Sequence, residues 1–273
     1  MGLQFPSKRV VWSRAILGGI VNATMTAQEE SFACFEGWVR NHYVLNGADG
    51  RCGSITFAGG HWYAEGPLVG VFHDVHSDRY DNVDEVDLER FFMGCPTYQR
   101  SLAEQAALSY LRPEFEGRLL HCVTAAFWDE GDSVTAPDPW DEIIRDGASL
   151  ISEEMSEDQD AALSRFAEGY GMTEEQVAFA RSLYDRKNAR PPALIELSMD
   201  EGKFLESTFK DPIAKYAELH RLMTRFEPTG PSETEGSRPA QEKWWEAIDT
   251  KAEFEKAMRT SREKFAELGI VMP

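Results

Sequence analysis

The run Leu68-Val69-Gly70-Val71-Phe72-His73-Asp74-Val75-His76 is rich in β-branched and aromatic residues, the composition of a strand. Upstream, residues 54–58 and 61–64 share that texture. Asn46-Gly47, Asp49-Gly50 and Gly59-Gly60 supply the turns that fold the three segments into an antiparallel meander. Residues 119–128 are apolar and short enough to add another strand. This is the one cluster of strand-like segments in a sequence that otherwise repeats at helical spacing.

Working outward, residues 10–23 and 27–44 both read as helices. In the second, Phe32, Phe35, Trp38 and Val39 form the apolar stripe and Thr26 is the expected N-cap. Helical periodicity returns over 83–93 and 97–111, separated by Gly94-Cys95-Pro96, where Gly94 suits a helix C-terminus and Pro96 the first turn of the next. From Pro139 the pattern is helical, with candidates at 140–151, 157–167, 173–188, 200–226 and 241–268. Thr173 and Gln176 form a capping box at the best-marked start. The expected class is therefore α+β: a small antiparallel β-meander packed by N-terminal helices, then a mainly helical C-terminal half. Its expected regions are a mixed part at 1–128, an acidic and helical part at 129–227, a flexible linker at 228–240 and a C-terminal helix at 241–273. The linker holds three Pro, two Gly and four Ser or Thr, too little apolar surface to form a core.

Length and charge narrow the function. The chain has 273 residues and a formal net charge of −19, which supports a sizeable core and repels polyanions at long range. Nucleic acid and membrane surfaces are not expected as partners. The apolar run at 15–21 is short, contains Gly18 and Gly19, and precedes no cleavage signal, so a helix is expected there and not a leader. No apolar run reaches membrane-spanning length. Four widely spaced cysteines without a Cys-x-x-Cys pair suit a reduced, cytoplasmic protein.

The charge is concentrated. Residues 129–160 hold twelve acids against Arg145 alone, leaving −11, and residues 74–89 hold seven acids against Arg79, leaving −6. The rest of the chain is nearly neutral. Acidic helix starts and solubility account for part of this. The density of like charge also points to a basic partner that docks there. The residues expected to carry that docking are Asp129, Glu130, Asp132, Asp138, Asp141 and Glu142, with Trp140 as a desolvated anchor, together with Asp81, Asp84 and Glu85. The leading expectation is thus an acidic cytoplasmic binding protein, of inhibitor or immunity type, that neutralises a basic protein.

One constellation suits metal chemistry. If residues 68–76 and the two that follow stay extended, Asp74, His76 and Asp78 share one face and His73 the other. An Asp-x-His-x-Asp face completed by His61, or by His121, forms a divalent-cation site, and the alternative expectation is a metal-dependent hydrolase. Otherwise no cofactor is expected. Cys95 is a candidate reactive thiol next to a helix start. His121 and Cys122 point to opposite strand faces, and there is neither a Gly-x-Ser-x-Gly elbow nor a phosphate loop. Without a specific catalytic motif, binding is favoured over catalysis.

Overall fold

The computed structural model describes residues 6–47, 50–80, 88–105, 108, 111, 114–115, 118–119, 123–152, 155, 158–212, 215 and 248–272. In chain order the helix α1 (Lys8–Gln28) leads into the strands β1 (Glu36–Val39), β2 (His42–Asn46), β3 (Cys52–Phe57) and β4 (Leu68–His73). The helices α2 (Leu88–Phe91) and α3 (Thr97–Gln105) and the small ladder β5 (Glu114–Phe115) with β6 (Arg118–Leu119) come next. Then follow β7 (Ala125–Glu130), β8 (Ser133–Thr135), α4 (Trp140–Ile143), a π-turn over Ile144–Ala148 and α5 (Ser149–Ser152). The chain continues with α6 (Gln159–Tyr170), α7 (Glu174–Ala189), β9 (Ile195–Glu196), α8 (Met199–Ser207), α9 (Thr250–Glu267) and β10 (Ile270–Val271). This is an α+β architecture, as the sequence pattern implies.

Six strands form the main sheet in the order β1-β2-β3-β4-β7-β8, antiparallel throughout. Alternation along β4 sends Leu68 and Phe72 into the larger core and Val69 and Val71 into a smaller one. The smaller core contains Ala126 and Trp128 of β7 and Phe91, Phe92 and Ala103 from α2, α3 and the turn between them. Both faces of β4 are therefore covered, which explains its unbroken apolar sequence. Two glycines open space for neighbouring rings: Phe72 lies over its cross-strand partner Gly53, and Phe127 over Gly70.

Helix α1 is the axis of the larger core. It is buried on every side by α6, α7, α8, α9 and β1, in the manner of a helix that is apolar all round. Two of its inward hydroxyls are satisfied within the helix: Thr24 Oγ1 donates to Ile20 O at 2.8 Å and Thr26 Oγ1 to Asn22 O at 2.8 Å. The Tyr43 hydroxyl and the Trp38 ring occupy the space that Cβ atoms on Gly18 and Gly19 would need.

Three local expectations are corrected. The segment 27–44 is not one helix, because α1 continues to Gln28, with Thr26 inside it and not capping a new start. A 3-10 turn over Glu30–Cys34 follows, and Trp38 then pairs with Tyr43 across β1 and β2. Aromatic residues at helical spacing also suit a strand, and Gly37 at φ 150° breaks any helix there. Residues 61–64 are not a strand; Gly60–Trp62 is a 3-10 turn held by Trp12 Nε1, which donates to Gly60 O at 2.9 Å. Finally, β4 stops at His73. Asp74 Oδ1 accepts from the His76 amide at 2.8 Å and Asp74 O from Ser77 N at 3.1 Å, so the chain turns.

The capping box at Thr173 and Gln176 opens α7, and a second, Ser198 with Glu201, opens α8. The expected linker at 228–240 lies outside the described residues, as do residues 241–247 at the start of the expected terminal helix.

Candidate functional site

The two acidic segments meet at the end of the sheet where β4 finishes and β7 begins. Asp138 just ahead of α4, Glu142 within it and Asp146 in the π-turn all turn their carboxylates to Arg79. The Arg79 guanidinium places Nη1 2.8 Å from Asp138 Oδ2, Nη2 2.8 Å from Glu142 Oε2 and Nε 3.0 Å from Asp146 Oδ2. Nη1 also donates to Thr124 O at 3.2 Å. Three carboxylates on one planar fork make a directional, charge-assisted set.

Asp146 is the buried member, with its side chain 2% exposed. Besides Arg79 it accepts from Ser77 Oγ at 2.9 Å and from Arg145 Nη2 at 3.0 Å, and its backbone carbonyl accepts from the Thr124 hydroxyl. The π-turn makes this approach feasible. Gly147 sits at φ 144°, and a Cβ there would lie 2.8 Å from Phe72 Cβ and 3.3 Å from Thr124 Oγ1. Only glycine lets the turn press this closely on β4.

The residues expected to dock a partner separate into distinct groups. Asp141 is exposed at the Arg79 end, Asp138 and Glu142 are half-buried by Arg79, and Asp78 is exposed beside them. Glu130 and Asp132 are exposed at the other end of the sheet, on the β7–β8 hairpin, where Asp132 O accepts from Lys8 N at 3.3 Å. Asp129 is buried: Oδ1 accepts from Leu68 N at 2.7 Å, and Oδ2 lies 3.6 Å from Lys8 Nζ. Trp140 packs on Phe127 at 5.9 Å between ring centroids, against the larger core. Asp81, Asp84 and Glu85 lie outside the described residues.

The metal constellation does not assemble. Because the chain turns after His73, Asp74, His76 and Asp78 do not lie on one strand face. His61 follows β3 beyond Phe57, the partner of Leu68, whereas Asp74 leaves the opposite end of β4; six residues of strand, about 20 Å, lie between them. Among the described residues no three His, Cys, Asp or Glu side chains gather around a common point suited to a metal ion. His121 and Cys122 lie outside the described residues. His73 is buried, and burial lowers its pKa while Asp74 opposes the shift. At Cys95 burial pushes the thiol up to about 11, with Arg100 pulling the other way, so the thiolate is scarce near neutrality.

Sequence reading takes Arg79 only as the lone base of its window and Asp146 only as one acid among twelve, and it gives Ser77 and Thr124 no role; the usable signal is that lone base in an acidic window. Among the described residues no helix is long and apolar enough to cross a membrane. No family model matches the chain, nor does any curated protein or solved structure compared with it.

Proposed function

We propose that the Arg79 end of the sheet docks a basic protein and that the chain works as a cytoplasmic binding protein of inhibitor or immunity type. The observation that carries this reading is the division of labour among its acids. Asp138, Glu142 and Asp146 are engaged by Arg79, which ties the turn after β4 to the α4 and π-turn segment. Asp78 and Asp141 stay exposed, with no ion-pair partner among the described residues. A fixed acidic edge of this kind accelerates encounter with a basic surface, because its field needs no rearrangement to be felt. The face is narrower than the two sequence windows, since Glu130 and Asp132 belong to the opposite end, beside Lys8 and Arg9.

The test begins with the basic protein that the chain captures from its own cells at about 0.05 M salt, where screening is weak. Association is then timed for the parent chain, for Asp78→Lys with Asp141→Lys, and for Glu130→Lys with Asp132→Lys. The expected result is a rate that falls steeply with salt and falls about tenfold for the first pair, with little change for the second. Binding that is indifferent to salt and to the first pair of reversals would sink the reading.

A further inference from the structure

Beyond the end of the sheet away from the Arg79 cluster, a buried cation has no anion partner among the described residues. Lys187 lies in the last turn of α7 and is fully buried. Its ammonium donates to Ala193 O at 3.3 Å and lies 4.8 Å from the centroid of the Trp62 ring. No carboxylate among the described residues pairs with it, and burial alone pushes its pKa down to about 8. The α7 dipole and the indole face offset the charge only in part. Beside it stands His61, 7% exposed, with both ring nitrogens buried and without a hydrogen-bond partner. Burial, assisted by Lys187, pushes that imidazole down to about 4. Buried polar atoms in native proteins are nearly always paired, so an imidazole with neither nitrogen paired, beside an ammonium that meets a carbonyl and no carboxylate among the described residues, calls for an explanation.

Gly269 supplies the geometry. It follows α9 at φ 68°, and the point where its Cβ would lie is 3.2 Å from both Lys187 Nζ and His61 Nε2 and 3.1 Å from Trp62 Cη2. The ammonium and the imidazole thus lie side by side against the Gly269 backbone, beneath an indole that is itself 41% exposed. The roof sits on the three-residue turn Gly60–Trp62, between Gly59 and Gly66. Exposed apolar side chains continue outward along the same segments: Tyr63 beside Trp62, Leu194 beside Ala193, and Val271 two residues beyond Gly269.

We propose that this is a binding site for a small monocarboxylate, which enters as Trp62 swings aside and takes the anion's place opposite Lys187. One ammonium and one neutral imidazole match one negative charge and two acceptor oxygens. A phosphate dianion would leave a charge uncompensated in a desolvated place. The aromatic and apolar rim suits the carbon body attached to the carboxylate. The site is independent of the acidic face and stands or falls apart from it.

Acetate and benzoate are the probes, titrated into the full chain against chloride and phosphate at equal ionic strength. The readouts are the melting temperature, the tryptophan fluorescence and the His61 ring resonances. The expected result is a saturable rise in melting temperature, stronger for benzoate, with shifts in tryptophan emission and in the His61 resonances. Lys187→Met should weaken the apparent affinity about tenfold or more, and His61→Phe should weaken it less. The His61 resonances of the parent chain keep the test decisive if a variant fails to fold. Resonances unmoved by either carboxylate, or a response to chloride or phosphate equal to that for benzoate, would overturn the proposal.

Discussion

Arg79 and Lys187 are both cations withdrawn from water, yet the residues around them answer the charge in opposite ways. Arg79 has an 8% exposed side chain and meets Asp138, Glu142 and Asp146 on its three nitrogens. Lys187, fully buried, meets a carbonyl, an indole face and an unpaired imidazole. A guanidinium enclosed by carboxylates is a structural joint: it ties the β4 turn to the π-turn, and removing either side strands charge. An ammonium with no counter-charge among the described residues contributes nothing comparable to the fold, and its burial makes physical sense if a ligand brings the charge.

The largest effect is expected where the joint is tightest. Asp146→Ala leaves Arg79 with two half-exposed partners and strands the Ser77 hydroxyl proton. A loss of about 3–5 kcal/mol in urea unfolding is expected, in the range for breaking a buried pair from one side. A loss below about 1 kcal/mol would mean that Arg79 is held from elsewhere, and the contrast with Lys187 would weaken.

The Lys187 side sharpens the comparison through pH. Its folded pKa, about 8, lies below the ordinary lysine value of 10.5, so between those values the unfolded chain holds a proton that the folded chain has released. Stability attributable to Lys187 is therefore level below pH 8 and rises from pH 8 towards 10.5. The rise should be on the order of 3 kcal/mol over the full window and should vanish from the profile of Lys187→Met. Facing His61 titrates far below this window and leaves it undisturbed. Superimposable alkaline profiles for the two chains would show that the ammonium is solvated.

Much of the fold was legible. The capping box at Thr173 and the apolar run in β4 declare their elements because the signals are local: a side chain three residues from its partner, and a strand covered on both faces. Reading fails where one residue's hydrogen bonds override a pattern. The apolar texture runs on through Val75, but the Asp74 carboxylate captures the His76 amide and ends the strand, which removes the basis for a metal face. Residues 27–44 fail differently, since Phe32, Phe35, Trp38 and Val39 satisfy a helical period and also a turn followed by a strand; only the pairing of Trp38 with Tyr43 separates the two.

At the site, Asp138 and Glu142 were visible as acids, whereas their engagement by Arg79 depends on a contact across more than fifty residues of sequence. Lys187 hid in plain sight. Ala180, Leu183, Tyr184 and Lys187 form an i, i+3, i+4, i+7 stripe, all buried, but the neighbouring Arg186 and Asn188 make the segment read as a solvated helix end.

The most direct measurement of the contrast is the melting temperature of Arg79→Met beside that of Lys187→Met, in the same buffer at neutral pH without added carboxylate. Both substitutions replace a long cation with an unbranched apolar chain. Arg79→Met is expected to lower the melting temperature sharply, because Asp146 and its two companions are left to repel one another. Lys187→Met is expected to leave it unchanged or raise it, because an uncompensated buried charge is gone. A chain that tolerates the loss of Arg79 but melts early without Lys187 would contradict the account.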